Sequence, residues 1–371
     1  MSSDMSLVEP RALVARARRV IVKVGSSSLA AEGTHVPERL AETIAARTGI
    51  AFVVVSSGAI ALGVKKLGYR TRPKEMSKLQ AAAAAGQSLL MRAYEEAFAA
   101  RGMAVAQVLL THADLADRTR GNNARAALSE LLDSGAVPIL NENDSVAVDE
   151  IKFGDNDQLA AMVVPLIHAD LVVLLSDVEG LLDADGRRVA IVRDVASEAL
   201  PLVRKSTSAT GSGGMLSKLE AARRATLAGV NVVLADARAP NTLEAVLAGE
   251  DVGTLFVAAG ERLSAKKYWI AFTLRPRGDV VLDSGAAQAV LAKGKSVLAV
   301  GVLGVRGDFR AGDAVRLVDA GGREIARGLA RCSVVDAARV AGRAREELPD
   351  ELGELAVVVH ADELVVGGHG G

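Results

Sequence analysis

Arg19-Val20-Ile21-Val22-Lys23-Val24-Gly25-Ser26-Ser27-Ser28 is an apolar run that stops at a glycine and three hydroxyl residues. A strand covered on both faces carries such a run, because neither side of it meets water. The small residues behind it let backbone N–H groups approach an anion beside Lys23. Outward from this stretch the same kind of run recurs at Ala51 to Val55, Ala104 to Leu110, Ala136 to Leu140, Leu171 to Leu175 and Val230 to Ala235. Helical patterns lie between them. Leu79 to Arg101 is Ala-rich with Leu90, Tyr94 and Phe98 at helical spacing, Asn123 to Ser134 stops at Gly135, and Asp157 to His168 and Lys218 to Ala228 continue the series. This alternation predicts an α/β fold, a mainly parallel sheet sandwiched by helices.

After Thr254 to Val257 the pattern changes to short strands with turn signals at Arg277-Gly278, Gly307-Asp308 and Gly321-Gly322, interrupted by one helix from an N-cap at Ser284 to Gly294. A chain of 371 residues suits two domains at roughly 100 to 200 residues each. The expected division is residues 1–259, a linker over 260–275, and a small β-rich domain over 276–371 ending in a loose tail from Gly367 to Gly371.

The 44 basic and 45 acidic side chains nearly cancel, which removes a general electrostatic drive toward nucleic acid or an anionic membrane. From Ser264 to Gly371 the balance is 15 Lys and Arg against 14 Asp and Glu, without the basic excess of an RNA-binding domain. Cys332 is the only cysteine, so no intramolecular disulfide forms and a sulfur-ligated metal is not suggested. Met1 to Arg19 lacks the apolar core of a secretory signal, and no segment reaches a span of about 18 apolar residues. The expectation is a cytoplasmic chain without a membrane partner.

In a parallel sheet, ligands collect beyond the carboxyl ends of the strands. The second strand runs into Ser56-Ser57-Gly58-Ala59-Ile60, where a helix start and the Ser57 hydroxyl suit a carboxylate as well as an unliganded cap. The fourth is followed by Asn141-Glu142-Asn143-Asp144, echoed by Asp155-Asn156-Asp157 at a helix start. These clusters suit a metal, or a substrate ammonium on Asp144 with Asn156 donating to a carboxylate; residue types alone do not choose. The fifth strand ends in Ser176-Asp177, and Thr210-Gly211-Ser212-Gly213-Gly214-Met215-Leu216-Ser217-Lys218 is a glycine-rich loop reaching a lysine at a helix start, a phosphate cradle without Walker spacing.

Taken in order, Val22 to Ser27, Val55 to Ile60, Asn141 to Asp144, Lys152 to Asp157 and Gly213 to Lys218 resemble the motifs of the glutamate 5-kinase branch of the amino-acid kinase family, over nearly the whole chain. The segment after about Pro276 resembles the PUA domain that many bacterial members carry. The resemblance implies transfer of phosphate from ATP, with Mg2+ riding on the nucleotide, to the γ-carboxylate of L-glutamate, the first step of proline biosynthesis. It implies a homo-oligomer, dimer or tetramer, and feedback inhibition by proline. Carried over by motif, Ser57, Asp144 and Asn156 are glutamate-binding positions. Ser176, Asp177 and the stretch Ser212, Gly213, Gly214, Met215, Leu216, Ser217 and Lys218 form the nucleotide side with Lys23 and Gly25. No protein-held metal is expected.

Phosphoryl transfer asks a protein mainly for alignment and positive charge. Lys23 and Lys218 supply that charge, and Asp157 is expected to hold the two together. The acceptor carboxylate is already ionised near neutrality, so no general base is needed, and none of the five histidines lies in a motif. Two segments are briefer than the family pattern: Pro37 to Ala51, beside the phosphate loop, and Asp183 to Arg188, near the expected adenine pocket. The closest rivals are kinases of N-acetylglutamate or aspartate; an RNA-binding role for the PUA-like domain is the rival of another class. Asp114 to Arg125, with Glu150 and Lys152, is expected to close over the amino acid and let proline compete.

Overall fold

Val20, Ile21, Val22 and Val24 are fully buried in the first strand, each contributing roughly 1.5–3 kcal/mol by leaving water. The strand is β1, Arg19–Val24, and the computed structural model that contains it describes residues 10–26, 29, 35–146, 155–204, 212–259 and 263–366. Contacts among the described residues divide the chain into two units, one up to residue 262 and one from Leu263 on.

Among its described residues the first unit is built on eight strands: β1, β2 (Ala51–Ser56), β3 (Val105–Leu110), β4 (Val137–Glu142), β5 (Leu171–Ser176), β6 (Ile191–Val192), β7 (Asn231–Asp236) and β8 (Thr254–Phe256). Their order is β3-β4-β2-β1-β5-β7-β8-β6. The sheet is parallel from β3 to β7, whereas β8 runs antiparallel to β7. Its helices are α1 (Pro10–Val14), α2 (Val36–Ala45), α3 (Ala59–Lys66), α4 (Met76–Ala99), α5 (His112–Ala116), α6 (Arg118–Asp133), α7 (Asp155–Ile167), α8 (Leu200–Arg204), α9 (Ser212–Leu227) and α10 (Thr242–Leu247). Helices α2 and α3 each pack on α4, and α6 and α9 pack against α7. The sandwich expected from the alternating pattern is thus present, with two strands at one edge, β8 and β6, running antiparallel to the rest.

Helices α3 and α4 touch backbone to backbone. A methyl group at Gly63 would fall on the Ala82 carbonyl, and one at Gly86 on the Ala59 carbonyl. Only glycine allows that approach, at a cost of roughly 0.5–1 kcal/mol in helix propensity at each position.

Several limits differ from the sequence reading. Strand β4 continues through Asn141 and Glu142, because Leu109 and Leu110 of β3 pair with them, so the acidic motif begins inside the sheet. Helix α9 starts at Ser212, more than a turn before Lys218. The helix-forming residues after Gly214 extend it backward, and Lys218 lies in the second turn rather than at the start. Asp114 to Arg125 is no loop: α5 has a capping box between Thr111 and Asp114, and Asp117 caps α6 by accepting from Arg120 N. Glu150 and Lys152 lie outside the described residues, as do Ser27, Ser28, Thr210, Gly211 and the tail from Gly367.

The second unit holds a six-stranded sheet in the order β10-β14-β13-β12-β9-β11, from β9 (Gly278–Leu282), β10 (Val297–Leu298), β11 (Val302–Gly307), β12 (Ala314–Val318), β13 (Glu324–Ala330) and β14 (Val357–Val366). The stretch expected as a linker is partly structured: α11 (Ala265–Tyr268) runs into a π-helical turn, Trp269–Thr273, whose Ile270, Ala271 and Phe272 are buried and whose Ala271 carbonyl accepts from Arg327. Helix α12 (Ser284–Lys293) is capped by Asp283, which accepts from Ala286 N at 2.7 Å; Ser284 is its first residue, and Gly294 closes it in the left-handed region. Helix α13 (Val334–Val340) packs on β11. Arg277-Gly278 leads into β9 rather than a turn, with Gly278 paired to Gly307 of β11.

Candidate functional site

The parallel register sets the carboxyl ends of β1, β2, β4 and β5 side by side, and two kinds of polar cluster form there. The first is ionic. Lys23, next to last in β1, is an almost fully buried cation whose Nζ lies 2.6 Å from Asp157 Oδ1. Lys218 comes from α9 and places Nζ 3.4 Å from Asp157 Oδ2, with a further bond to the Gly214 carbonyl at 3.3 Å. One carboxylate, itself 1% exposed, therefore bridges two ammonium groups. Burial lowers the Lys23 pKa; Asp157 opposes that shift, and the neighbouring Lys218 charge adds to it. The sequence-predicted trio Lys23, Asp157 and Lys218 is brought together.

The second cluster is neutral. Asn156, beside Asp157 in the first turn of α7, donates through Nδ2 to Ser57 Oγ at 3.1 Å and to Asn141 Oδ1 at 3.0 Å. Ser57 follows β2, with its N–H bound to the Val24 carbonyl. Gly58 behind it has φ 100, a left-handed conformation that glycine adopts without strain and that opens α3. Asp144 sits half-buried in the turn after β4, whose chain is held by Asn143 N donating to the Leu110 carbonyl.

The expected nucleotide residues are less gathered. Gly25 N donates to the Leu175 carbonyl, tying the turn after β1 to β5. Ser176 is buried and bonds the exposed Asp177 at 3.1 Å. Asp177 is close enough to act on Lys23, raising its pKa slightly against the burial effect. Ser212 and Gly213 open α9, Gly214 is exposed, and Met215 and Leu216 are half-buried. The Ser217 carbonyl accepts from Gln158 of α7 at 3.0 Å, which ties α9 to the helix carrying Asp157.

Sequence reasoning did not single out Gln87, Gln107 or Gln158. Asn141 Nδ2 donates to Gln87 Oε1 at 2.9 Å, and Gln87 Nε2 donates to Gln107 Oε1 at 3.0 Å. A signal existed for Gln87: it lies on the face of α4 that otherwise buries Leu79, Ala83, Leu90, Tyr94 and Phe98. A lone amide on an apolar face needs a partner inside.

Chemically, the ionic cluster suits a transferring group rich in negative oxygen, and the amide cluster suits an uncharged grip on a carboxylate. Residues 18–236 match the model of the amino acid kinase family, and residues 278–352 match that of the PUA domain. The chain is 47% identical to glutamate 5-kinase of Myxococcus xanthus, covering 97% of this chain and 99% of that one. It is 46% identical to glutamate 5-kinase of Ralstonia nicotianae, covering 96% and 99%. Among solved structures, N-acetylglutamate synthase from Neisseria gonorrhoeae, complexed with coenzyme A and N-acetyl-glutamate, is similar over 77% of this chain and 69% of its own, with a TM-score of 0.53 at 16% identity, a likeness of fold. Among the described residues no helix is long and apolar enough to cross a membrane. The chain belongs to the amino acid kinase family, among the glutamate 5-kinases that carry a C-terminal PUA domain.

Proposed function

We propose that this chain transfers the γ-phosphoryl group of ATP to the γ-carboxylate of L-glutamate, giving ADP and glutamyl 5-phosphate, the first step of proline biosynthesis. The observation that carries the reading is the Asp157 carboxylate bridging Lys23 and Lys218. A γ-carboxylate oxygen attacks the terminal phosphorus, the bond from that phosphorus to the bridging oxygen breaks, and its electrons leave with ADP. Negative charge spreads over the oxygens in flight, and the two ammonium groups face it with no general base required. Asp157 keeps two like charges side by side in a buried setting, where they would otherwise repel.

Ser57 and Asn156 grip a substrate carboxylate, and Asp144 pairs with its ammonium. Ser176, Asp177, Gly25 and the first turns of α9 from Ser212 to Lys218 take the nucleotide. Magnesium would enter with the nucleotide, because it favours phosphate oxygens with few protein ligands. Proline competes for the amino-acid site, the chain works as a homo-oligomer, and it acts in the cytoplasm.

The test is ADP release with a panel of amino acids, with and without hydroxylamine to trap an acyl phosphate. Hydroxamate from L-glutamate is expected, with Asp144→Asn raising the KM for glutamate strongly. Turnover of N-acetylglutamate alone would overturn the assignment. Proline at millimolar levels is expected to raise the apparent KM for glutamate, and an unchanged KM would remove it from this site.

A further inference from the structure

We infer that Gln87 is a positioning residue: through Asn141 and Asn156 it fixes the direction in which the Ser57 hydroxyl donates. The inference rests on the proposed grip of Ser57 on a substrate carboxylate, and concerns how that grip is oriented.

The argument begins at a group whose polarity is not adjustable. The backbone N–H of Glu142 can only donate, and it lies 2.9 Å from one side-chain atom of Asn141, which must therefore be the acceptor Oδ1. The amide nitrogen of Asn141 is then left facing Gln87, which must present its oxygen, at 2.9 Å. Gln87 in turn shows its nitrogen to Gln107 Oε1 at 3.0 Å. On the other side, an accepting Asn141 Oδ1 requires a donor, so Asn156 presents Nδ2 at 3.0 Å. The same nitrogen reaches Ser57 Oγ at 3.1 Å, while Asn156 Oδ1 takes the Glu142 N–H at 3.3 Å. Both hydrogens of Asn156 Nδ2 are now committed. Ser57 Oγ is an acceptor on its inner side, and among the described residues its own hydrogen has no acceptor. That hydrogen is turned outward as a donor, the polarity an anionic carboxylate needs.

Gln87 matters because it is buried, on α4 and outside the substrate grip. Without its oxygen, the Asn141 nitrogen would be a buried donor lacking a partner, and turning the Asn141 amide over would set its nitrogen against the Glu142 N–H. The chain of amides has one consistent arrangement with Gln87 present and none fully satisfied without it. Hydroxyls rotate freely, so a fixed donor direction must come from the neighbours.

The experiment is a double-mutant cycle on the full chain, using hydroxamate formation from L-glutamate and thermal melting. Gln87→Met is expected to raise the KM for glutamate about tenfold while kcat and the KM for ATP stay within about threefold. In a Ser57→Ala background the same change should add less than about twofold, since there is no hydroxyl left to orient. Gln87→Glu, which keeps an acceptor for Asn141, should recover most of the loss. Should Gln87→Met not fold, Gln107→Lys at the exposed strand edge replaces an acceptor with a donor and should raise the KM for glutamate about threefold. Equal factors in the two backgrounds, a parallel rise in the KM for ATP, or no recovery with Gln87→Glu would each overturn the inference. A parent chain that makes no hydroxamate from glutamate would overturn the substrate assignment instead.

Discussion

Asn156 and Asp157 are consecutive residues in the first turn of α7, yet they serve opposite kinds of environment. Asp157 is an ion between two ions, Lys23 and Lys218. Asn156 is a neutral amide among neutral groups, Ser57 and Asn141. Under the proposed function, the difference follows from what each half would do. Moving a phosphoryl group redistributes charge, and charge answers it best where water is scarce. Holding an amino acid requires discrimination, and fixed donors supply that without burying another charge.

The largest effect should come from breaking the ionic half at its hub. Asp157→Ala leaves two cations unpaired, and kcat should fall by about a thousandfold, with stability in urea lower by on the order of 3 kcal/mol. Retained activity would show that the lysines need no carboxylate. Next come the lysines: Lys23→Met and Lys218→Met should each lower kcat by about a hundredfold or more, with the KM for glutamate within about threefold. The neutral half should answer in the other parameter. Asn156→Ala is expected to raise the KM for glutamate by about 10–100-fold, from hydrogen bonds to a charged group of about 1.5–3 kcal/mol, with a smaller change in kcat. If kcat fell more than KM rose, the two clusters would not be separable.

The smallest effect sharpens the comparison through pH. Burial lowers the Lys23 pKa from 10.5, so as pH climbs through the lowered value the site loses its charge. The alkaline limb of kcat should therefore appear below 10.5, and Lys23→Arg should remove that limb at whatever activity it retains, because a guanidinium stays charged. The stability sign is opposite. Between the lowered folded pKa and 10.5 the unfolded chain holds more protons than the folded one, so this residue's contribution to stability rises with pH across that window. A limb at the ordinary lysine value would show Lys23 to be hydrated in solution.

Much of the fold was legible. The β1 limits, Arg19–Val24, match the apolar run residue for residue, and β2, β3, β5 and β7 differ by a residue at one end or both, because strands covered on both faces carry an unbroken apolar signal. The limits that moved are those where a partner decides. Pairing with β3 carries β4 through Asn141 and Glu142, and α9 begins at Ser212 instead of Lys218. The segment from Asp114 to Arg125 carries few apolar residues, and its caps at Thr111 and Asp117 proved stronger than its loop-like composition. The ionic residues were legible because Lys23 stands near the end of an apolar strand, Asp157 at a helix start and Lys218 behind a glycine-rich stretch. The amide chain was not, since Gln87 and Gln107 bond to residues far along the chain, and each looks ordinary alone.

The sequence by itself determined the α/β alternation, the change of architecture after residue 257, the charged residues of the site and the family. Tertiary structure alone decided the distances at which Asp157 meets the two lysines it was expected to hold, and that a glutamine on α4 stands behind Ser57. Apolar periodicity and motif spacing are local and add up along the chain. A hydrogen-bond direction or a bridged ion pair depends on distances of about 3 Å between segments that only the packed sheet brings together.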